Sequence, residues 1–178
     1  MDHTVGNKAL LGGSDAAFIE YKTLLNNKII ELDGEEIQVY HTPGHTQDSI
    51  TFHLDNILLT GDTLFHGKIG RCFSGDLKGF YNSIKLIMEF PEETIIYAGH
   101  DYVEEYMAFV RLLEPDNTYI DAFLNRYDPG HVSSTLADEY KINPFLRFNE
   151  GKIISILEKR GLRVETEYDR WESIMSLM

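Results

Sequence analysis

An α/β domain followed by a short helical tail is the fold class the sequence predicts, and three observations predict it. Short β-branched and aromatic runs are interleaved with helix-length amphipathic segments as far as residue 114. Three of those runs end in glycine-bearing loops that carry a histidine or an aspartate. From Pro115 onward helical spacing takes over and no strand is expected. The chain is therefore divided into residues 1–114 and a helical region, residues 115–178.

The elements follow in order. Ser14 and Asp15 are placed to cap a helix over 16–26, where Phe18, Tyr21, Leu24 and Leu25 fall at helical spacing. Strands are predicted over 29–32 and 37–41, separated by the turn signal Asp33-Gly34, and a hairpin over 49–54 and 57–60 turns through Asp55-Asn56. A glycine-rich loop, 61–75, leads to a helix over 77–90 that Pro91 ends. The run 94–97 is short and β-branched, hence a buried strand, and 101–113 reads as a helix. In the tail, 119–127, 136–140, 152–160 and 167–178 read as short helices.

Composition bounds the function. With 178 residues and 43% hydrophobic content the chain can bury a core, and no apolar run approaches the ~18 residues of a membrane span. Sixteen basic against 29 acidic residues leave a net charge of -13, which repels phosphate backbones and argues against a nucleic-acid partner. One cysteine, Cys72, excludes a disulfide framework and a thiolate metal cage; it is expected to be a small, partly buried hydrophobe in a cytoplasmic protein.

Chemistry is expected where the strands end. "HTPGHT" places His45 just past the second strand, "GDT" places Asp62 past the fourth, and "AGHDY" places His100 past the fifth, each beside glycine. Imidazole and carboxylate are the donors that zinc, iron or manganese take when no thiolate is offered. Asp2 and His3 raise the count to five, more than one tetrahedral site uses, which points to two ions sharing a carboxylate. Asp62 is the shared ligand, because a carboxylate has two oxygens to bridge with and an imidazole has one free lone pair. His41, His53, His66 and His131 lack this context and are expected to be structural.

"HTPGHT", "GDTLF" and "AGHDY" resemble successive metal motifs of the metallo-β-lactamase superfamily. "GKIGRCFSG", "AGHDYVEEYMAFVRLLEPDN" and "SSTLADEYKINPFLRF" narrow the resemblance to the glyoxalase II (hydroxyacylglutathione hydrolase) family. That implies an αββα sandwich, here incomplete at its N-terminus, followed by a small helical C-terminal subdomain. "DHTVGN" looks like the end of the family's H-x-H-x-D-H motif, so Met1 is expected to be an internal methionine of a longer protein.

The resemblance also implies roles. Asp2, His3, Asp62 and His100 would form one metal site, and His45 with Asp62 the remainder of another; Asp2 and Asp62 would be catalytic, acting with one or two divalent ions, zinc foremost. The reaction would be hydrolysis of a glutathione thioester, S-D-lactoylglutathione to D-lactate and glutathione, with substrate contacts from Arg71, Phe73, Tyr102, Arg147 and Lys152. Phe73 stands where the family commonly has tyrosine. Exposed sheet surface would permit a homo-oligomer. Two other readings stay open: a mononuclear iron enzyme of the persulfide dioxygenase type, and a metal-binding or interaction module without catalysis.

Overall fold

A computed structural model describes residues 27–178. The helix expected over 16–26 and the expected ligands Asp2 and His3 lie outside the described residues.

Two antiparallel hairpins open the described chain. The first pairs β1 (Lys28–Leu32) with β2 (Glu35–His41) around Asp33-Gly34, and the second pairs β3 (Ile50–Leu54) with β4 (Ile57–Gly61). Within the expected glycine-rich loop the chain forms a small hairpin of its own, β5 (Leu64–Phe65) and β6 (Lys68–Ile69). Helix α1 (Leu77–Ile87), capped by Asp76, then crosses over to β7 (Ile95–Ala98), which lies parallel to β4. Helices α2 (Val103–Leu113) and α3 (Tyr119–Leu124) follow.

The tail contradicts one expectation. Ser134–Thr135 forms a strand, β8, that pairs antiparallel with β7 and completes a six-stranded sheet of order β1-β2-β3-β4-β7-β8. A two-residue strand is too short to show a period-2 pattern, and Thr135 is also the N-cap of α4 (Leu136–Ile142), in a capping box with Asp138. Helices α5 (Gly151–Lys159) and α6 (Glu167–Met175) close the chain.

Register decides which face is core. Gln38, His53, Leu58 and Ile96 are laterally paired and so share a face of the sheet. Leu58 and Ile96 on that face are fully buried with Phe80, Ile84 and Ile87 of α1, each such side chain contributing about 1.5–3 kcal/mol. The tail belongs to the same core, through Leu136, Phe145, Phe148, Leu157, Trp171 and Ile174. Val39, Phe52, Leu59 and Tyr97 occupy the opposite face, where Leu59 remains 45% exposed. No helix among the described residues is long and apolar enough to cross a membrane.

Candidate active site

Topology gathers the three strand ends. β2 and β4 both run antiparallel to β3, and β7 runs parallel to β4, so all three finish at one edge of the sheet. His45, Asp62 and His100 leave from that edge, and the Gly99 N–H donates to the Gly61 carbonyl at 2.8 Å to hold two of the loops together. Thr42, buried before the His45 loop, hydrogen-bonds Thr51 at 3.0 Å and Thr63 at 3.3 Å, anchoring the first loop to the second.

The three side chains meet at one carboxylate. His100 Nδ1 lies 2.8 Å from Asp62 Oδ1, and His45 Nε2 lies 3.4 Å from Asp62 Oδ2, so each imidazole addresses a different oxygen. His45 Nδ1 donates to the Arg71 carbonyl at 3.0 Å, which fixes the tautomer and turns Nε2, as a lone-pair donor, toward Asp62. Close approach makes two of the glycines obligatory. A Cβ on Gly99 would stand 2.3 Å from Asp62 Oδ1, and one on Gly70 would stand 2.0 Å from the Asp62 carbonyl oxygen and 3.1 Å from His45 Nδ1.

Aromatic rings wall the set on both sides. Phe73, 70% exposed, meets the His45 ring edge-on at 5.1 Å between centroids, and Tyr102 stacks on His100 at 5.5 Å. Behind Tyr102 stand Phe65 and Tyr106, at 5.5 and 5.3 Å. Burial pushes the Tyr106 phenol up to about 12, with further contributions from Glu105, Tyr102 and Asp62. Neither Phe65 nor Tyr106 stood out in the sequence; the signal available was a second aromatic hydroxyl one helical turn after Tyr102.

Two expected substrate contacts, Arg147 and Lys152, have acidic partners of their own. The Arg147 guanidinium, 8% exposed, donates from Nη1 and Nη2 to the fully buried Glu114 at 2.6 and 3.1 Å and also binds Glu150. Burial lowers its pKa, but the hydrogen bonds to Glu150 and Glu114 outweigh that and raise it. A guanidinium with its fork already filled by carboxylates cannot serve as a second carboxylate clamp. Lys152 pairs with Asp116 at 2.7 Å and approaches Glu114 at 3.7 Å.

The remaining histidines have local partners. His66, buried, contacts Ser134 Oγ at 2.8 Å, and that hydroxyl donates to Glu139 at 2.7 Å. His131 Nε2 lies 3.1 Å from the Tyr97 hydroxyl, His53 packs on Phe90, and His41 Nε2 reaches the Gln47 carbonyl at 2.8 Å. Cys72 is half-buried against the core. It faces a cavity of about 720 Å³ lined by Leu77, Leu162, Met175 and Met178, which shares only Arg71 with the residues expected at the site.

A sheet edge that presents imidazoles to both oxygens of one aspartate defines a class. Residues 2–100 match the metallo-beta-lactamase superfamily, and residues 101–174 match the hydroxyacylglutathione hydrolase C-terminus. The chain is 33% identical to the hydroxyacylglutathione hydrolase of Idiomarina loihiensis, over 92% of this chain and 71% of that protein. It is 30% identical to that of Pseudoalteromonas translucida, over 99% of this chain and 75% of the relative. The chain belongs to the hydroxyacylglutathione hydrolase (glyoxalase II) family. Its fold is also that of ETHE1 from Myxococcus xanthus, with a TM-score of 0.55 at 23% identity over 93% of this chain and 65% of that one.

Membership of the superfamily implies a divalent metal ion. Among the described residues no three His, Cys, Asp or Glu side chains group closely enough to hold one unaided. The donors that are described fit such an ion in kind: two imidazoles and a carboxylate reached from both of its oxygens.

Proposed function

We propose that the chain hydrolyses glutathione-type thioesters, with S-D-lactoylglutathione cleaved to D-lactate and glutathione. The observation that carries this reading is the placement of His45 and His100 on opposite oxygens of Asp62, joined to a tail that matches the hydroxyacylglutathione hydrolase C-terminus. His45, Asp62 and His100, together with Asp2 and His3, would hold the ion or ions, with Asp62 as the ligand that two ions would share. Zinc is the ion proposed, with iron and manganese as alternatives. When bound, such an ion activates water near neutral pH and polarises the scissile carbonyl.

The chain's own groups supply binding and orientation. The Arg71 carbonyl holds the His45 ring in place, while Phe73 packs against His45 and Tyr102 stacks on His100, flanking the place where the acyl group would bind. Arg71 offers positive charge to an anionic thiol. The leaving group is a thiolate whose parent thiol has a pKa of about 8.5, so no side chain is needed as a strong general acid. Residues 1–114 carry the ligands in this reading, and the helical region 115–178, expected to bind substrate, packs into the same core. Action in the cytoplasm, and self-association through the sheet, belong to the same proposal; the exposed Leu59 supports the latter.

Thiol release from S-D-lactoylglutathione by the zinc-loaded chain, measured beside Asp62→Ala and with a chelator, tests the assignment. Turnover that requires both the metal and Asp62 is expected. Oxygen uptake with glutathione persulfide in place of thioester cleavage would assign the dioxygenase reading instead, and metal uptake with no turnover would assign the non-catalytic one.

A further inference from the structure

Near the ligand set stands a cation whose charge no anion meets directly among the described residues. Lys68 faces Phe65 across the β5–β6 hairpin, and its Nζ lies 4.7 Å from the centre of the Tyr106 ring and 4.7 Å from that of Phe109. Among the described residues no carboxylate or carbonyl takes a hydrogen bond from it; Glu105 acts on it through space, against burial and the neighbouring Arg71 charge, which together hold its pKa below the usual lysine value. The Tyr106 hydroxyl likewise has no hydrogen-bond partner among the described residues. Its raised pKa of about 12 keeps it a proton donor at neutral pH.

A chain of ring contacts links this pair to the proposed metal ligands. His100 stacks on Tyr102, Tyr102 neighbours Tyr106, and Phe65 touches all three rings, at 6.4, 5.5 and 5.6 Å. A ligand that reacts beside Asp62 and extends along Tyr102 therefore meets Lys68 and Tyr106 several bonds away from its reacting atom. In a chain of net charge -13, an anionic ligand depends on such local positive charge.

We propose that Lys68 and the Tyr106 hydroxyl form a subsite for a carboxylate on the thiol portion of the substrate, so that the chain selects thioesters of acidic thiols over those of neutral ones. The subsite's role in selection rests on the thioester-hydrolase reading. An ammonium held over two rings keeps its direction fixed, and a carboxylate that arrives there exchanges solvent for two donors, one of them charged.

Calorimetric titration of the full chain tests this with two thioethers that cannot be hydrolysed: S-hexylglutathione, and S-hexyl-N-acetylcysteamine, which carries no carboxylate. Lys68→Gln is expected to weaken S-hexylglutathione roughly tenfold, the usual size of a lost charge-assisted hydrogen bond, while Lys68→Arg retains binding and the neutral thioether is unaffected. Tyr106→Phe is expected to weaken the same ligand by about threefold and decides the matter should Lys68→Gln fail to fold. Equal affinity of wild type and the folded variants, equal loss of both ligands in a folded variant, or no binding of S-hexylglutathione to the wild type would overturn the subsite. Binding without hydrolysis would instead overturn the catalytic reading and leave the subsite standing.

Discussion

At Gly99 a single added methyl group acts directly on Asp62. An added methyl group meets Asp62 Oδ1 at 2.3 Å and the Gly61 carbonyl carbon at 3.1 Å, so Gly99→Ala must push the aspartate away from His100 or move the backbone. The expected result is about 1–3 kcal/mol of lost stability, seen in thermal melts, with metal affinity falling roughly tenfold in a zinc titration. Unchanged zinc affinity would mean that Asp62 does not hold the ion. Residues of this kind were legible in the sequence, because a strand end beside glycine marks both a sharp turn and a close approach. Arg147 was not. "NPFLR" reads the same whether its guanidinium faces a ligand or fills a buried site, and the partner that decides, Glu114, lies 33 positions away. Lys68 escaped for the opposite reason: its partners are rings, and a cation over a ring leaves no charge pattern in a sequence.

Between elements, α1 and α6 are joined by Glu167, which accepts from Lys85 Nζ at 2.8 Å and from the Tyr81 hydroxyl at 2.5 Å. The Lys85 hydrogen bond first, then that of Tyr81, draws its pKa from 4.5 to about 2. A carboxylate depressed on folding stabilises the native state above its unfolded pKa and loses that contribution as pH falls toward the folded value. Wild type should therefore melt above Glu167→Gln at pH 6, and the difference should shrink below pH 4.5 and vanish near pH 2. A difference that persists unchanged at pH 2 would show that the charge is not its source. Since the pair is partly exposed, the effect is modest. Most element boundaries followed from turn signals and periodicity, whereas β5, β6 and β8, of two residues each, are held by tertiary pairing that no local pattern announces.

For the molecule as a whole, the sheet has one face packed by α1 and another that carries Val39, Phe52, Leu59 and Tyr97 in lateral register. Leu59 there is 45% exposed, and Leu32, at the end of β1, is 62% exposed. Apolar sheet surface favours self-association, while a net charge of -13 opposes it at long range. Light scattering should thus record dimers or larger species whose fraction rises with added salt, and Leu59→Lys with Leu32→Lys should return the chain to monomer. A monomer at every ionic strength would remove the oligomer from the proposal.

The parallel pairing of β4 with β7 also sets a schedule. Asp62 and His100 follow strands that become neighbours only after α1 has crossed between them, and residues 61 to 100 must all be free to fold before that happens. During synthesis, at about 5–20 residues per second, a nascent chain that has released His45 and Asp62 still lacks His100. Completion of the ligand set is consequently a late event of biogenesis: a ribosome paused before Tyr97 would display Asp2, His3, His45 and Asp62 but not His100.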